Sequence, residues 1–420
     1  MLYNKKVIKT RLFGNGPLMS TEITRIVGAP AVGTSFFDRK IIVEKICERI
    51  PNNSILLVAP RRFGKTSIMF KVKELLDKQQ GRVNLYLDVE WITTPSDFIV
   101  EIICKLKDSM GKDFLAYVRT LPKGVIELVK DNIENIEISG FKVTLRQELE
   151  NQWMERFNEL LKMIKAKNLK ITLFADEFPL MVHNMCENSN LKPEEIRSFL
   201  YWLRSLRVEQ NLRMVIGGSI GIDYILESLK ASAAINDLEK IHLGPFDRDT
   251  AKDFITRLMK AEKVKISDKD IEKILTLLGE PIPYFLQVFV AALLDEVREQ
   301  KKPISDELVE TVYERRILGV ECKSYFDHYF QRLSIYYGQK DLDIVKTLLL
   351  KLAETKEMSE KDLFTAYSIS AGNQDISQFK FILNGLQNDF YIAMNSTTKK
   401  YQFTANLLRD LWLKHYKVFE

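Results

Sequence analysis

Apolar residues in this chain are arranged in two ways. Short unbroken apolar runs occur at Ile55-Leu56-Leu57-Val58, within VNLYLDVEWI (83–92), within LKITLFADEF (169–178) and at 213–218. Runs of this length suit strands buried on both faces. Between them the apolar spacing becomes helical: Phe37, Ile41, Ile42, Ile46 and Ile50; then Ile68, Met69, Val72, Leu75 and Leu76; then a helix over 193–210. IHLGPF (241–246) reads as a last strand. Strands alternating with helices predict an α/β fold with a parallel, doubly wound sheet. Residues 96–165 read mostly as helices, with a short alternating segment that suits a hairpin around Gly140.

After Pro245 the pattern changes. Residues 247–318 are helical throughout, broken at Gly279-Glu-Pro281-Ile-Pro283. From about 341 come DIVKTLLLKLA, SEKDLFTAY and SQFKFILNGLQNDF, then two short strands about a turn at Ser396. Three helices followed by a hairpin is the order of a winged helix. The predicted organisation is an N-terminal extension over 1–35 punctuated by Gly and Pro, a sheet core over 36–246, a helical lid over 247–318, and a linker helix with a winged helix over 319–420. No internal repeat or low-complexity tract is present.

Composition narrows the class without naming a partner. The chain has 420 residues, 46% hydrophobic and 28% charged, which fits a globular protein of about two to four domains. A net charge of +5 neither requires nor excludes nucleic acid. Cys47, Cys104, Cys186 and Cys322 are scattered, and the four histidines show no ligand spacing. That argues against zinc and a disulfide framework and suits a reducing cytosol. The basic N-terminus lacks the apolar core of a signal peptide. The longest apolar stretch, near Ile282–Leu294, is shorter than the ~20 residues that span a bilayer. The expected location is cytoplasmic, with no membrane contact.

The chemistry concentrates after the first apolar run. Ala59-Pro-Arg-Arg-Phe-Gly64-Lys65-Thr66 is close to the phosphate-loop pattern G-x-x-x-x-G-K-[ST], with Ala59 in the first glycine's place. Loop N–H groups and the following helix N-terminus make a concave anion site. Gly64 lets the backbone approach a phosphate, Lys65 supplies a charge to the β- and γ-phosphates, and Thr66 offers a hydroxyl to Mg²⁺. Ala59, Pro60, Arg61, Arg62, Phe63 and Ser67 complete the candidate nucleotide-binding segment. Alanine is disfavoured at any positive φ that glycine adopts freely, so Ala59 departs from the pattern.

A second strand ends in Asp176 and Glu177. In P-loop enzymes an acid at a strand end serves the Mg²⁺, and a neighbouring carboxylate can deprotonate water. Asp176 is thus the candidate metal-side acid and Glu177 the candidate general base. An ordinary strand-to-loop transition would carry the same residues. The strand at 213–218 leads into Ser219, a candidate sensor of the γ-phosphate or a helix-capping serine. On the 193–210 helix, Arg197, Arg204 and Arg207 fall near one face. Arg204 and Arg207 are candidate arginine fingers for a neighbouring subunit, against the plainer reading of a solvated face paired with Glu194 or Glu195.

The winged-helix segment is not strongly basic. Residues 340–420 hold eleven Lys/Arg and ten Asp/Glu, and the expected recognition helix carries one lysine, Lys380. DNA affinity rests largely on neutralised phosphates. A protein partner is favoured, and DNA remains possible through Lys399, Lys400 or the basic N-terminus.

The ordered set of motifs resembles the archaeal-type ATPases of the STAND branch of AAA+-like P-loop NTPases, over roughly residues 36–420. Phe37-Asp-Arg39 resembles the family's F-x-G-R motif with Asp38 in the glycine position. The phosphate loop resembles the family form that often lacks the first glycine. Ala175-Asp-Glu-Phe178, Gly217-Gly-Ser-Ile220, Gly279-Glu-Pro281 and Tyr401-Gln-Phe403…Leu408-Arg-Asp-Leu-Trp412 follow in the family's order. The resemblance implies a switch that binds ATP or ADP with Mg²⁺, hydrolyses ATP, and moves its lid and winged helix. Arg39 and Pro281 then join the nucleotide-binding set, and an oligomer is possible. The alternative is a nucleotide-stabilised module that recruits protein or DNA with negligible turnover.

Overall fold

A computed structural model describes residues 23–110, 142, 145, 152–209, 212–218 and 222–416. The hairpin expected around Gly140 and the candidate Ser219 lie outside the described residues.

Five parallel strands form one sheet in the order β2-β3-β4-β1-β5. They are β1 (Ile55–Val58), β2 (Arg82–Asp88), β3 (Lys170–Asp176), β4 (Arg213–Gly218) and β5 (Glu239–His242). The last strand ends at His242: the Leu243 N–H still donates to the Val58 carbonyl, where β1 itself ends, and the Phe246 N–H then donates to the Pro281 carbonyl. Central β1 pairs with β4 through Val58 and Gly218, and with β5 through Val58 and His242. Asp88 and Asp176 are register partners at the ends of β2 and β3. The C-terminal ends of the strands therefore lie along one edge, where ligands bind in open α/β sheets.

Successive residues of β1 face opposite layers. Leu56 and Val58 join a core built on α3 (Pro95–Met110), α4 (Trp153–Ala166), α5 (Phe178–Glu187), α6 (Pro193–Glu209) and α7 (Ile222–Ser228). Ile55 and Leu57 face α1 (Lys40–Arg49) and α2 (Lys65–Asp77). This second core runs on without a break into the remaining helices. Those are α8 (Arg248–Ala261), α9 (Asp268–Leu278), α10 (Pro283–Gln300), α11 (Asp306–Val312) and α12 (Val320–Tyr336).

The C-terminal unit comprises α13 (Gln339–Thr355), β6 (Glu357–Met358), α14 (Glu360–Ala371), α15 (Ile376–Asn388), β7 (Ile392–Met394), β8 (Tyr401–Phe403) and α16 (Asn406–His415). Its strands pair antiparallel in the order β6-β8-β7, so the helices and hairpin expected from sequence gain a third short strand. The architecture is a P-loop core with a parallel sheet, followed by a helical lid and a unit with winged-helix element order.

Gly279 joins lid and C-terminal unit. It caps α9 at φ 80°, and a Cβ there would stand 2.6 Å from the Asn406 backbone nitrogen. Glycine thus permits both the turn and the contact. Asn406 Nδ2 also donates to the Thr276 carbonyl at 3.0 Å, which fixes the start of α16 against the lid.

Candidate functional site

The buried strand β1 delivers residues 59–64 to the start of α2. Positive φ falls on Arg62 (72°) and Gly64 (94°), and Ala59 is not in that region. The alanine therefore carries none of the strain expected at the first glycine position. Lys65 is buried, and its ammonium donates to the carbonyls of Ala59 at 2.7 Å and Pro60 at 3.0 Å. Burial lowers its pKa to about 8, against the pull of Glu177 and Asp176. Ser67 Oγ accepts from the Ala31 N–H at 2.9 Å, tying the N-terminal segment to α2.

Asp176 closes β3 in a buried position. Its Oδ2 accepts from Thr66 Oγ1 at 2.5 Å and from the Tyr86 hydroxyl at 3.2 Å. Its Oδ1 accepts from the Glu177 N–H at 3.1 Å. Burial raises the Asp176 carboxyl above its ordinary value, while Lys65 and Thr66 oppose the shift. Gly217 on β4 makes the room: a Cβ there would meet Asp176 Oδ1 and lie 2.6 Å from Met69 Cε.

Glu177 adopts φ 57° as the N-cap of α5, which turns its side chain off the strand direction. Its Oε1 accepts from Arg61 Nε at 3.4 Å, and its Oε2 accepts from Arg332 Nη2 at 3.1 Å. Burial alone would raise this carboxyl, but Lys65, Arg332 and Arg61 together hold it below its ordinary value. Arg61 also spans to both oxygens of Glu90, at 3.2 and 3.1 Å.

A cleft of about 570 Å³ opens before these residues. One wall is the phosphate loop with Asp176 and Glu177. The other is formed by the N-terminal segment from Ile26 to Phe37, with Arg39, Phe246 and Tyr284. Arg39 donates to the carbonyls of Gly244 at 2.8 Å and Pro245 at 3.3 Å, and stacks 4.5 Å from the Phe246 ring. Burial lowers its pKa to about 10, opposed by Asp38 and Asp247. Arg62 donates to the Gly28 carbonyl at 3.2 Å and lies 4.4 Å over the Tyr284 ring. Both loop arginines are therefore engaged, Arg61 with acids and Arg62 with the lid.

Other sequence expectations need correction. Pro281 does not line the cleft; its carbonyl accepts from the Phe246 N–H at 3.1 Å, and Pro283 and Tyr284 face the cleft instead. Arg207 is buried, with bonds to Asp237 at 2.7 and 2.8 Å and to the Ala234 carbonyl at 2.6 Å. Arg204 lies 3.8 Å from the same Asp237. Asp237 precedes β5, whose first residue Glu239 pairs with Ile55 at the start of β1. The two arginines thus gather on Asp237 at the end of the sheet opposite the phosphate loop, Arg207 buried and Arg204 half-exposed. Arg197 pairs with Glu194 at 3.6 Å, as the plainer reading had it.

Sequence reasoning missed two contributors. Arg332 lies in an amphipathic linker helix where nothing local marks it. Residues 26–35 fall in the extension expected over 1–35, because their Gly and Pro content signals irregular chain. Their glycines do permit the turns that bring them onto the cleft, with φ 96° at Gly28 and 57° at Gly33.

No curated protein matches the sequence. Among solved structures, the Walker-type ATPase PABY2304 of Pyrococcus abyssi superposes with a TM-score of 0.58 at 16% identity, covering 91% of this chain and 97% of that one. The ORC2 protein of Aeropyrum pernix, in ADPNP–ADP complexes, gives 0.50 at 11% identity, with 89% and 92% covered. At these identities the likeness establishes the fold. The sequence model for an ATPase domain predominantly from Archaea matches residues 36–287, from the segment carrying Arg39 through both acids to the first turn of α10. The chain belongs to this family of archaeal-type P-loop ATPases.

Proposed function

We propose that the protein binds ATP with Mg²⁺, hydrolyses it, and couples turnover to movement of the lid and C-terminal unit, as a STAND-type switch. The observation that carries this reading is the convergence of four side chains at the ends of β1 and β3. Thr66 meets Asp176 at 2.5 Å, with Lys65 and Glu177 beside them. The loop N–H groups and the start of α2 hold the phosphates. Lys65 exchanges its two carbonyl partners for β- and γ-phosphate oxygens. Glu177 accepts the proton of the attacking water. The Thr66 hydroxyl and Asp176 carboxylate are a hard-oxygen pair that fits an ion keeping most of its waters. When bound, Mg²⁺ neutralises charge developing on the phosphates.

Coupling is supported by contacts between the C-terminal unit and the phosphate loop. Phe390 packs edge-on to Phe63 with ring centroids 4.9 Å apart. The Tyr329 hydroxyl donates to the Arg61 carbonyl at 3.3 Å. Motion of the loop on nucleotide loading is thus felt directly by these elements. Arg61 and Arg332 bring two guanidinium groups to Glu177 from within one chain.

The partner of the C-terminal unit is a protein in this reading. Lys380 pairs with Glu360 at 2.5 Å and Lys400 with Glu357 at 3.1 Å, so each of these lysines has an acid beside it that offsets its positive potential. Ile369 and Ile376 are exposed on the same unit. No helix among the described residues is long and apolar enough to cross a membrane, and a cytoplasmic location is part of this proposal. Titration with a fluorescent ATP analogue tests the nucleotide site. Lys65→Ala should abolish binding, and unchanged affinity would sink the proposal. A parallel titration with duplex DNA at low salt should show no binding.

A further inference from the structure

Glu177 is engaged on both oxygens by cations from different parts of the chain. Arg61 comes from the phosphate loop, and Arg332 comes from α12, the helix that joins lid and C-terminal unit. The Arg332 and Glu177 side chains are only 9% and 16% exposed, so solvent screens this pair weakly.

The helix is also fixed at Tyr329. The Tyr329 hydroxyl binds the Arg61 carbonyl, and the Tyr329 carbonyl accepts from the Tyr391 hydroxyl of the C-terminal unit. Asp389 is buried with Arg332 in one small gap behind the phosphate loop, and the next residue, Phe390, carries the ring against Phe63. A seam of three consecutive residues, 389–391, therefore sets where Arg332 stands. A carboxylate acting as general base must direct a lone pair at water. Here each Glu177 oxygen already accepts from a guanidinium, which makes the carboxylate a weaker base toward water.

We propose that Arg332 is a latch on Glu177: in this arrangement it keeps the acid from activating water, and displacement of α12 with the C-terminal unit releases it. The inference rests on Glu177 being the base, and it adds the residue through which the C-terminal unit controls that base.

The test is steady-state ATP hydrolysis by the full chain carrying Arg332→Gln, Arg332→Met, Phe390→Ala, Glu177→Gln, or Arg332→Gln with Glu177→Gln, with thermal melting of each variant. Release of the base should raise kcat roughly tenfold in both Arg332 variants, while KM for ATP changes less than about threefold. Phe390→Ala keeps Arg332 but loosens the seam, and should raise kcat in the same direction. The double variant should be no faster than Glu177→Gln alone. Folded Arg332 variants with kcat at or below wild type would overturn the latch, and if they fail to fold, an unaccelerated Phe390→Ala does so. Glu177→Gln with wild-type turnover would instead remove the base assignment and the latch with it. An inactive Glu177→Gln beside unaccelerated Arg332 variants would remove the latch alone.

Discussion

Thr66 donates its hydroxyl to Asp176 at 2.5 Å, although 110 residues separate them in the chain. The contact exists because β1 and β3 run parallel, with β4 between them, and end on the same edge. In the proposed function, this hydroxyl and carboxylate are the protein partners of a phosphate-bound Mg²⁺.

Removing either partner should therefore act on the metal-dependent step. Asp176→Asn is expected to lower kcat about a hundredfold and to raise the Mg²⁺ concentration needed for half-maximal turnover. Thr66→Ala should act in the same direction. A Mg²⁺ titration of phosphate release checks both, and unaltered Mg²⁺ dependence would contradict the assignment.

A side chain at Gly217 should displace Asp176. A Cβ would meet Asp176 Oδ1 and the end of Met69, so both side chains would have to move away from it. Gly217→Ala is expected to lower kcat at least about tenfold by displacing Asp176. Gly244→Ala, where a Cβ meets nothing within 4 Å, is the steric control. Equal kcat in wild type and Gly217→Ala would show that the close approach does not matter.

Asp389 gives a pH signature in stability. Burial raises its carboxyl from 3.8 to about 7, against the attraction of Arg332. Between those values the folded chain holds a proton that the unfolded chain has lost. The associated stability is present below the lower value and declines as pH rises toward the upper one. Asp389→Asn escapes this decline. Its melting temperature relative to wild type should therefore be about 2 °C or more higher at about pH 8 than at about pH 4. Parallel melting curves would contradict the raised value.

The sheet and phosphate loop were legible because they are local. A buried run, a Gly-Lys-Thr and a helical period lie within about 25 residues, each dictated by nearby chemistry. Asp176 and Glu177 were legible as a strand end. Contacts across the fold were not. Arg207 shows the limit in one direction: helical spacing groups side chains without saying that Asp237 lies under them. Arg332 shows it in the other, since its partner Glu177 is 155 residues away. Ala59 shows a third kind of limit, because the pattern gives the usual residue and not the dihedral angle that selects it.

The most direct measurement is steady-state phosphate release with Mg²⁺ by wild type, Lys65→Ala and Glu177→Gln, alongside nucleotide binding by each. The account predicts that Lys65→Ala neither binds nor hydrolyses ATP, while Glu177→Gln binds it and turns over about a hundredfold more slowly than wild type. Wild-type turnover in Glu177→Gln would contradict the account at its centre.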